Sequence, residues 1–162
     1  MTRLRTGVGC GSGLTTTYAG YDARGNATSV TDENGIVTTR TFEADRMTSM
    51  SVAGQTWLYE YDHGKLTRVQ HPEGNSEVIC YRKGPSLAGG CSMTEQMTNQ
   101  PTGMFRYGSG SAGGAWYEAT LLTYANDGEL REEAVYQAGN TTTPFRRTTR
   151  ERNPLGFTTF EK

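Results

Sequence analysis

The sequence predicts an all-β chain of repeated antiparallel hairpins forming a twisted sheet, and three observations predict it. An aromatic-acid pair opening a Gly-containing turn recurs about every twenty residues. A second turn marked by Gly falls between successive pairs, at Asn34-Gly35, Ala53-Gly54, Glu73-Gly74 and Leu155-Gly156. The runs between turns are rich in Thr, Val and aromatic residues, which suit a pleated, half-buried surface better than a helix. A hairpin of this size cannot bury a hydrophobic face alone, so several must stack side by side.

The elements follow in order. Residues 1–14 contain Arg3 and Arg5, then Gly7-Val8-Gly9-Cys10-Gly11-Ser12-Gly13, and are expected to form a flexible arm. A phosphate-cradling loop would need a strand before it and a helix after it, but the strand-like Leu14-Thr15-Thr16-Thr17-Tyr18 follows. No apolar run follows the two arginines, so the chain is expected to be made in the cytoplasm without a classical signal peptide, leaving open export as part of a toxin complex.

Residues 15–83 carry the regular hairpins. Their turns open at Tyr21-Asp22-Ala23-Arg24-Gly25, Phe42-Glu43-Ala44-Asp45-Arg46 and Tyr61-Asp62-His63-Gly64-Lys65, and the intervening turns use Gly35, Gly54 and Gly74. By period two, Trp57, Tyr59 and Tyr61 share one face and Leu58, Glu60 and Asp62 the other, and the aromatic face is expected to pack inward. Residues 84–114 break the pattern with Gly89-Gly90, Pro101 and the run from Gly108 to Gly114, and read as a long loop or an eroded repeat. From 115 to 162 the hairpins return, with Tyr124-Ala125-Asn126-Asp127-Gly128, a run from Glu129 to Gln137 read as strand over short helix, and a last period through Gly156 to Phe160-Glu161. The chain stops where another repeat would begin, as a piece of a longer array would.

Composition narrows the function classes. Hydrophobic residues make up 34% of the 162, so a thick core is not expected. A formal charge of −1 offers no field to draw nucleic acid or an anionic membrane, and no apolar run is long enough to span a bilayer. Cys10, Cys80 and Cys91 lack metal-ligand spacing and are odd in number, which predicts incidental thiols, with a Cys80–Cys91 bridge as the alternative. No cofactor is expected.

The ordered series from Tyr21 to Glu43 (aromatic-acid, Gly turn, Thr-Ser-Val strand, second Gly turn, Thr-rich strand) resembles the YD repeat of the Rhs, Tc-toxin C-component and teneurin superfamily. The match recurs at 61–74 and 153–161 and, with weaker periods, covers about two-thirds of the chain. The resemblance implies an antiparallel sheet that spirals into a hollow shell. In bacterial members the shell encloses a toxin polypeptide, many serving type VI secretion or related antagonism, and in animal members it serves adhesion. It also implies as partners other YD-repeat segments, or self-association by strand edges, and an enclosed toxin. Departures occur at Phe42-Glu43, which replaces Tyr-Asp, at Tyr81-Arg82, which lacks the acid, and at Ala125 beside Tyr124. The turns after Phe42 and Tyr61 are one residue short.

The residues give little sign of catalysis. Asp22, Asp62 and Asp127 stand at turn starts, where a carboxylate accepts backbone N–H groups two residues on. Tyr21, Phe42, Tyr61 and Tyr124 are expected as cross-strand ring ladders, each pair contributing about 0.2–1 kcal/mol. A Cys80–His71 nucleophile pair would need an orienting group and oxyanion donors that the sequence does not signal. Arg146, Arg147, Arg150 and Arg152 read as a solvated edge strand. The expected role is structural and non-enzymatic, with an adhesion module presenting Trp57, Tyr59, Trp116 or Tyr117 to glycans as the alternative. The motif residues are Tyr21, Asp22, Gly25, Gly35, Phe42, Glu43, Tyr61, Asp62, Gly64, Gly74, Tyr124, Asp127, Gly128, Gly156 and Phe160.

Overall fold

A computed structural model describes residues 3–6, 15–88, 90–91, 96–109, 116–152 and 158–161. All regular structure among them is β-strand. The strands are β1 (Arg3–Thr6), β2 (Thr15–Tyr21), β3 (Ala27–Thr31), β4 (Val37–Glu43), β5 (Arg46–Val52), β6 (Gln55–Asp62) and β7 (Lys65–Gln70). They continue as β8 (Ser76–Cys80), β9 (Gly103–Tyr107), β10 (Trp116–Tyr124), β11 (Leu130–Gln137), β12 (Arg146–Arg152) and β13 (Thr158–Glu161). The run read as strand over short helix is therefore strand, from Leu130 to Gln137. Two compact units divide the chain, one of Met1–Glu60 with Gln70–Pro72 and one of Tyr61–Val69 with Glu73–Lys162.

In the first unit each strand from β1 to β5 pairs antiparallel with its successor. Residues directly opposite each other share a face, so the registers define rows across the strands. Ala19, Ser29, Thr39, Ser51 and Thr56 form one row. The neighbouring row on that face brings Thr41 beside Ser49, their hydroxyls 2.7 Å apart. The opposite face carries the rows Tyr18-Val30-Thr38-Val52 and Arg40-Met50-Trp57. As the alternation predicts, Trp57, Tyr59 and Tyr61 are half-buried while Leu58 and Glu60 are exposed. Small hydroxyl side chains remove little apolar area from water. Val30, at 8% exposure, is the one buried hydrophobic residue among those described in this unit.

In the second unit the strands from β7 to β13 also lie in chain order, and their rows are quite different. Val78, Phe105, Ala119 and Tyr136 stand in register, flanked by Ser76-Tyr107-Trp116 on one side and Cys80-Gly103-Leu121-Ala134 on the other. Phe105, Ala119 and Cys80 are fully buried here, and Trp116 packs against them almost out of solvent. A large ring beside an alanine is the alternation that fills space without strain. The reverse face bears Glu77-Arg106-Glu118, where Arg106 bridges both acids.

The stretch expected as loop or eroded repeat builds much of this unit. Its residues 103–107 are β9, paired on both sides. Residues 84–88 with 90–91 fold back as a strap over the Phe105 face. Ser86 and Gly90 exchange backbone hydrogen bonds of 3.1 and 2.7 Å, and the Leu87 carbonyl accepts the Trp116 indole N–H at 2.7 Å. Cys80 and Cys91 form a disulfide that ties the strap to β8, which corrects the expectation of incidental thiols. The bridge stood as the alternative, and alternation could not favour it because the two sulfurs meet through a chain reversal with no period. Cys10 and the Gly-rich arm from Gly7 lie outside the described residues.

Candidate functional site

The repeat turns are where the motif residues gather, and they fall into two geometries. In the wide turn, the Asp22 N–H donates to the Asn26 carbonyl at 3.0 Å and the Gly25 N–H to the Asp22 carbonyl at 3.1 Å. Asp22 Oδ1 accepts the Arg24 and Asn26 N–H groups, both at 2.9 Å, and Oδ2 accepts the Asn26 side-chain amide. The Asn26 bonds, side chain first, hold the Asp22 carboxyl below its ordinary value against the opposing effect of burial. Gly25, at φ +89°, occupies the left-handed region that closes such a turn.

Asp32 repeats this arrangement, accepting from Asn34 N and Ile36 N, with Gly35 at φ +80°. Sequence reading placed Asn34-Gly35 at this turn but did not single out Asp32, because Thr31 replaces the aromatic residue before it. The signal was the spacing Asp-x-x-Gly, shared by Asp22–Gly25 and Asp32–Gly35. A third wide turn has the same backbone bonds starting from Ala125, with Gly128 closing it. Asp127 sits two positions later than Asp22 does, and accepts Glu129 N at 3.1 Å.

The narrow turns have two residues between strands. Ala44 and Asp45 (φ 46° and 67°), Ala53 and Gly54 (50° and 82°), and His63 and Gly64 (47° and 84°) all take positive φ, the geometry that matches strand twist. Glu43 pairs in register with Arg46 across the first of these, and Phe42 with Met47. Asp62 departs from its expected role as a turn acceptor. Its oxygens face His63 Nδ1 and Arg82 Nη2, each at 2.5 Å. The hydrogen bond with His63, and secondarily that with Arg82, holds the Asp62 carboxyl below its ordinary value. A two-residue turn offers no N–H two positions on in the right place, so the carboxylate turns to side chains.

The remaining motif residues are dispersed. Tyr21 is exposed and opposite Ala27. Tyr61 lies in β6, and Gly74, at φ 85°, follows β7. Tyr124 ends β10, where burial pushes its hydroxyl up. Tyr81, nearest to the lost acid, lies under Lys65 Nζ at 4.7 Å from its ring centre, and the same ammonium donates to the Thr98 and Asn99 carbonyls. Phe160 lies in β13 opposite Arg150, and Gly156 is outside the described residues.

Three alternative sites lose their premises. Cys80 is bonded to Cys91 and fully buried, so it presents no thiolate. Trp116 is 9% exposed beneath Leu87, which removes it from any glycan platform, whereas Tyr117 is 47% exposed. The arginines of β12 do not form an edge, since β12 pairs with β11 and β13. Arg146 meets Glu133 at 3.0 Å and Arg147 meets Glu132 at 3.1 Å. Among the described residues no group of three His, Cys, Asp or Glu is placed to hold a metal, and no helix is long and apolar enough to cross a membrane.

A meander of hairpins in chain order, closed by Asp-x-x-Gly and two-residue turns, defines a β-hairpin repeat protein. Residues 21–53 match the RHS Repeat family. No curated protein matches the sequence. The fold is similar to part of the crystal structure of TcdB2-TccC3-TEV, with a TM-score of 0.65 at 14% identity over 90% of this chain. A mutant TccC3 form of the Photorhabdus luminescens Tc holotoxin pore is similar at a TM-score of 0.64, again 14% identical over 90% of this chain. The chain spans 7% and 6% of those two chains. The family match is thus confined to residues 21–53, and the likeness to the two solved structures is one of fold.

Proposed function

We propose that this chain is a structural wall segment of an Rhs-type shell that encloses a toxin polypeptide, without catalytic activity of its own. The observation that carries this reading is the strand order: within each unit every new strand adds to the last, and a sheet built this way presents an outer strand with one side open to pairing. Such edges pair with further strands. The natural partners are neighbouring repeat segments, in the same or another chain, and the enclosed polypeptide. Delivery by type VI secretion or by a Tc-like secreted complex fits the same reading.

Light scattering across a concentration series tests it. Reversible growth in mass with concentration, suppressed by proline at Leu4 in β1 and Thr159 in β13, is the expected result. A strict monomer at high concentration would sink the wall reading. Glycan-dependent binding lost on Trp57→Ala would replace it with the adhesion reading.

A further inference from the structure

We propose that residues 84–88 with Gly90 and Cys91 are a redox-operated strap, in which the Cys80–Cys91 disulfide decides whether the apolar face around Phe105 and Trp116 is covered or open. Four observations converge. The strap supplies Leu87 and Cys91 to the cluster, and Leu87 takes the Trp116 indole hydrogen bond. Pro85 lies over Gly103, where a Cβ would stand 3.4 Å from Pro85 Cβ and 3.3 Å from both the Phe105 ring and the Thr120 carbonyl oxygen, so the strap packs directly on β9 at this point. Gly90 sits against the Tyr107 hydroxyl, 3.1 Å from where its own Cβ would be. The strap's internal order rests on the Ser86–Gly90 bond pair, with the disulfide as its covalent tie to the sheet.

The chemistry is thiol–disulfide exchange with a dithiol reductant. One reductant thiolate attacks Cys91 Sγ, since Cys80 is fully buried and Cys91 is the less enclosed partner. The Cys80–Cys91 bond breaks and Cys80 leaves as a thiolate that takes a proton. The second reductant thiol then displaces Cys91, leaving two protein thiols and a reductant disulfide. A thiolate in apolar surroundings is disfavoured, so Cys80 is a poor leaving group and the closed strap resists reduction. Once open, the strap loses a short covalent loop. Loop-closure entropy for a separation of 11 residues makes the open population rise by up to about a hundredfold.

The test uses the whole chain with Cys10→Ser and Trp57→Phe, leaving Trp116 as the sole indole and the pair as the only thiols. Reduction is expected to shift Trp116 emission to the red, raise its quenching by acrylamide several-fold and speed tryptic cleavage at Lys83, with far-ultraviolet circular dichroism unchanged and full reversal on reoxidation. Leu87→Ala should expose Trp116 partly even when oxidised. Trp116 staying protected with both thiols alkylated would overturn the proposal. So would loss of the β signal on reduction, which would make the disulfide a global staple instead of a local tie.

Discussion

The two units share one turn chemistry and differ in what lies between the turns. In the first, the rows across the strands are Ala19-Ser29-Thr39-Ser51-Thr56 on one face and scattered apolar residues with Arg40 on the other. In the second, the rows set Phe105 between Val78 and Ala119 and fold a strap over them. The same hairpin repeat is therefore held in two ways, by ladder hydrogen bonds and turns in one unit and by a covered apolar layer in the other. The lesson is that turns specify the repeat, whereas burial is optional within each period.

The largest expected effect breaks the covered layer. Phe105→Ala leaves a cavity at a fully buried site and should destabilise the second unit by about 3–5 kcal/mol. Native-state hydrogen exchange should show the loss in β8–β11, with β2–β5 protection unchanged; equal loss in both would show that the two depend on one core. Val30→Ala removes two methyl groups at the first unit's one described buried hydrophobic residue and should cost about 1–2 kcal/mol, read in the exchange of β2–β4. A cost equal to that of Phe105→Ala would erase the contrast.

Turn substitutions should act alike in both units. Alanine at Gly25 or Gly128 meets no clash closer than 3.7 Å, so the cost comes from positive φ alone, about 1 kcal/mol each, measurable by urea denaturation. Asparagine there should recover part of that loss. The smallest effect is in acid. The Asp22 carboxyl is held below its ordinary 3.8 in the folded chain, so its contribution is present above 3.8 and is lost as pH falls through the lower folded value. Amide shifts of Gly25 and Asn26 followed by nuclear magnetic resonance should move in that acid window, and Asp22→Asn should remove the titration. A transition centred above 3.8 would contradict the hydrogen-bond assignment.

Much of the fold was legible because turns write themselves locally. Gly25, Gly35, Gly64 and Gly128 sit where only a left-handed residue closes the chain, and the Thr-rich runs between them are strands. The rest depended on partners distant in sequence. Cys91 reaches Cys80 through a reversal, Lys65 reaches the carbonyls of Thr98 and Asn99, and the β12 arginines find acids on β11. None of these leaves a period to read. The low apolar content predicted a thin core but could not say that it would concentrate beside β9, because that depends on register.

The chain-ordered meander also bears on how the molecule is made. Nearly every strand needs only the one before it, so its contacts close over short stretches and each hairpin can set as it leaves the ribosome. At every moment of that growth the newest strand is an unpaired template. A chain built this way is vulnerable to pairing with the wrong neighbour until its successor arrives, and the quick two-residue turns at Ala44-Asp45, Ala53-Gly54 and His63-Gly64 shorten that interval.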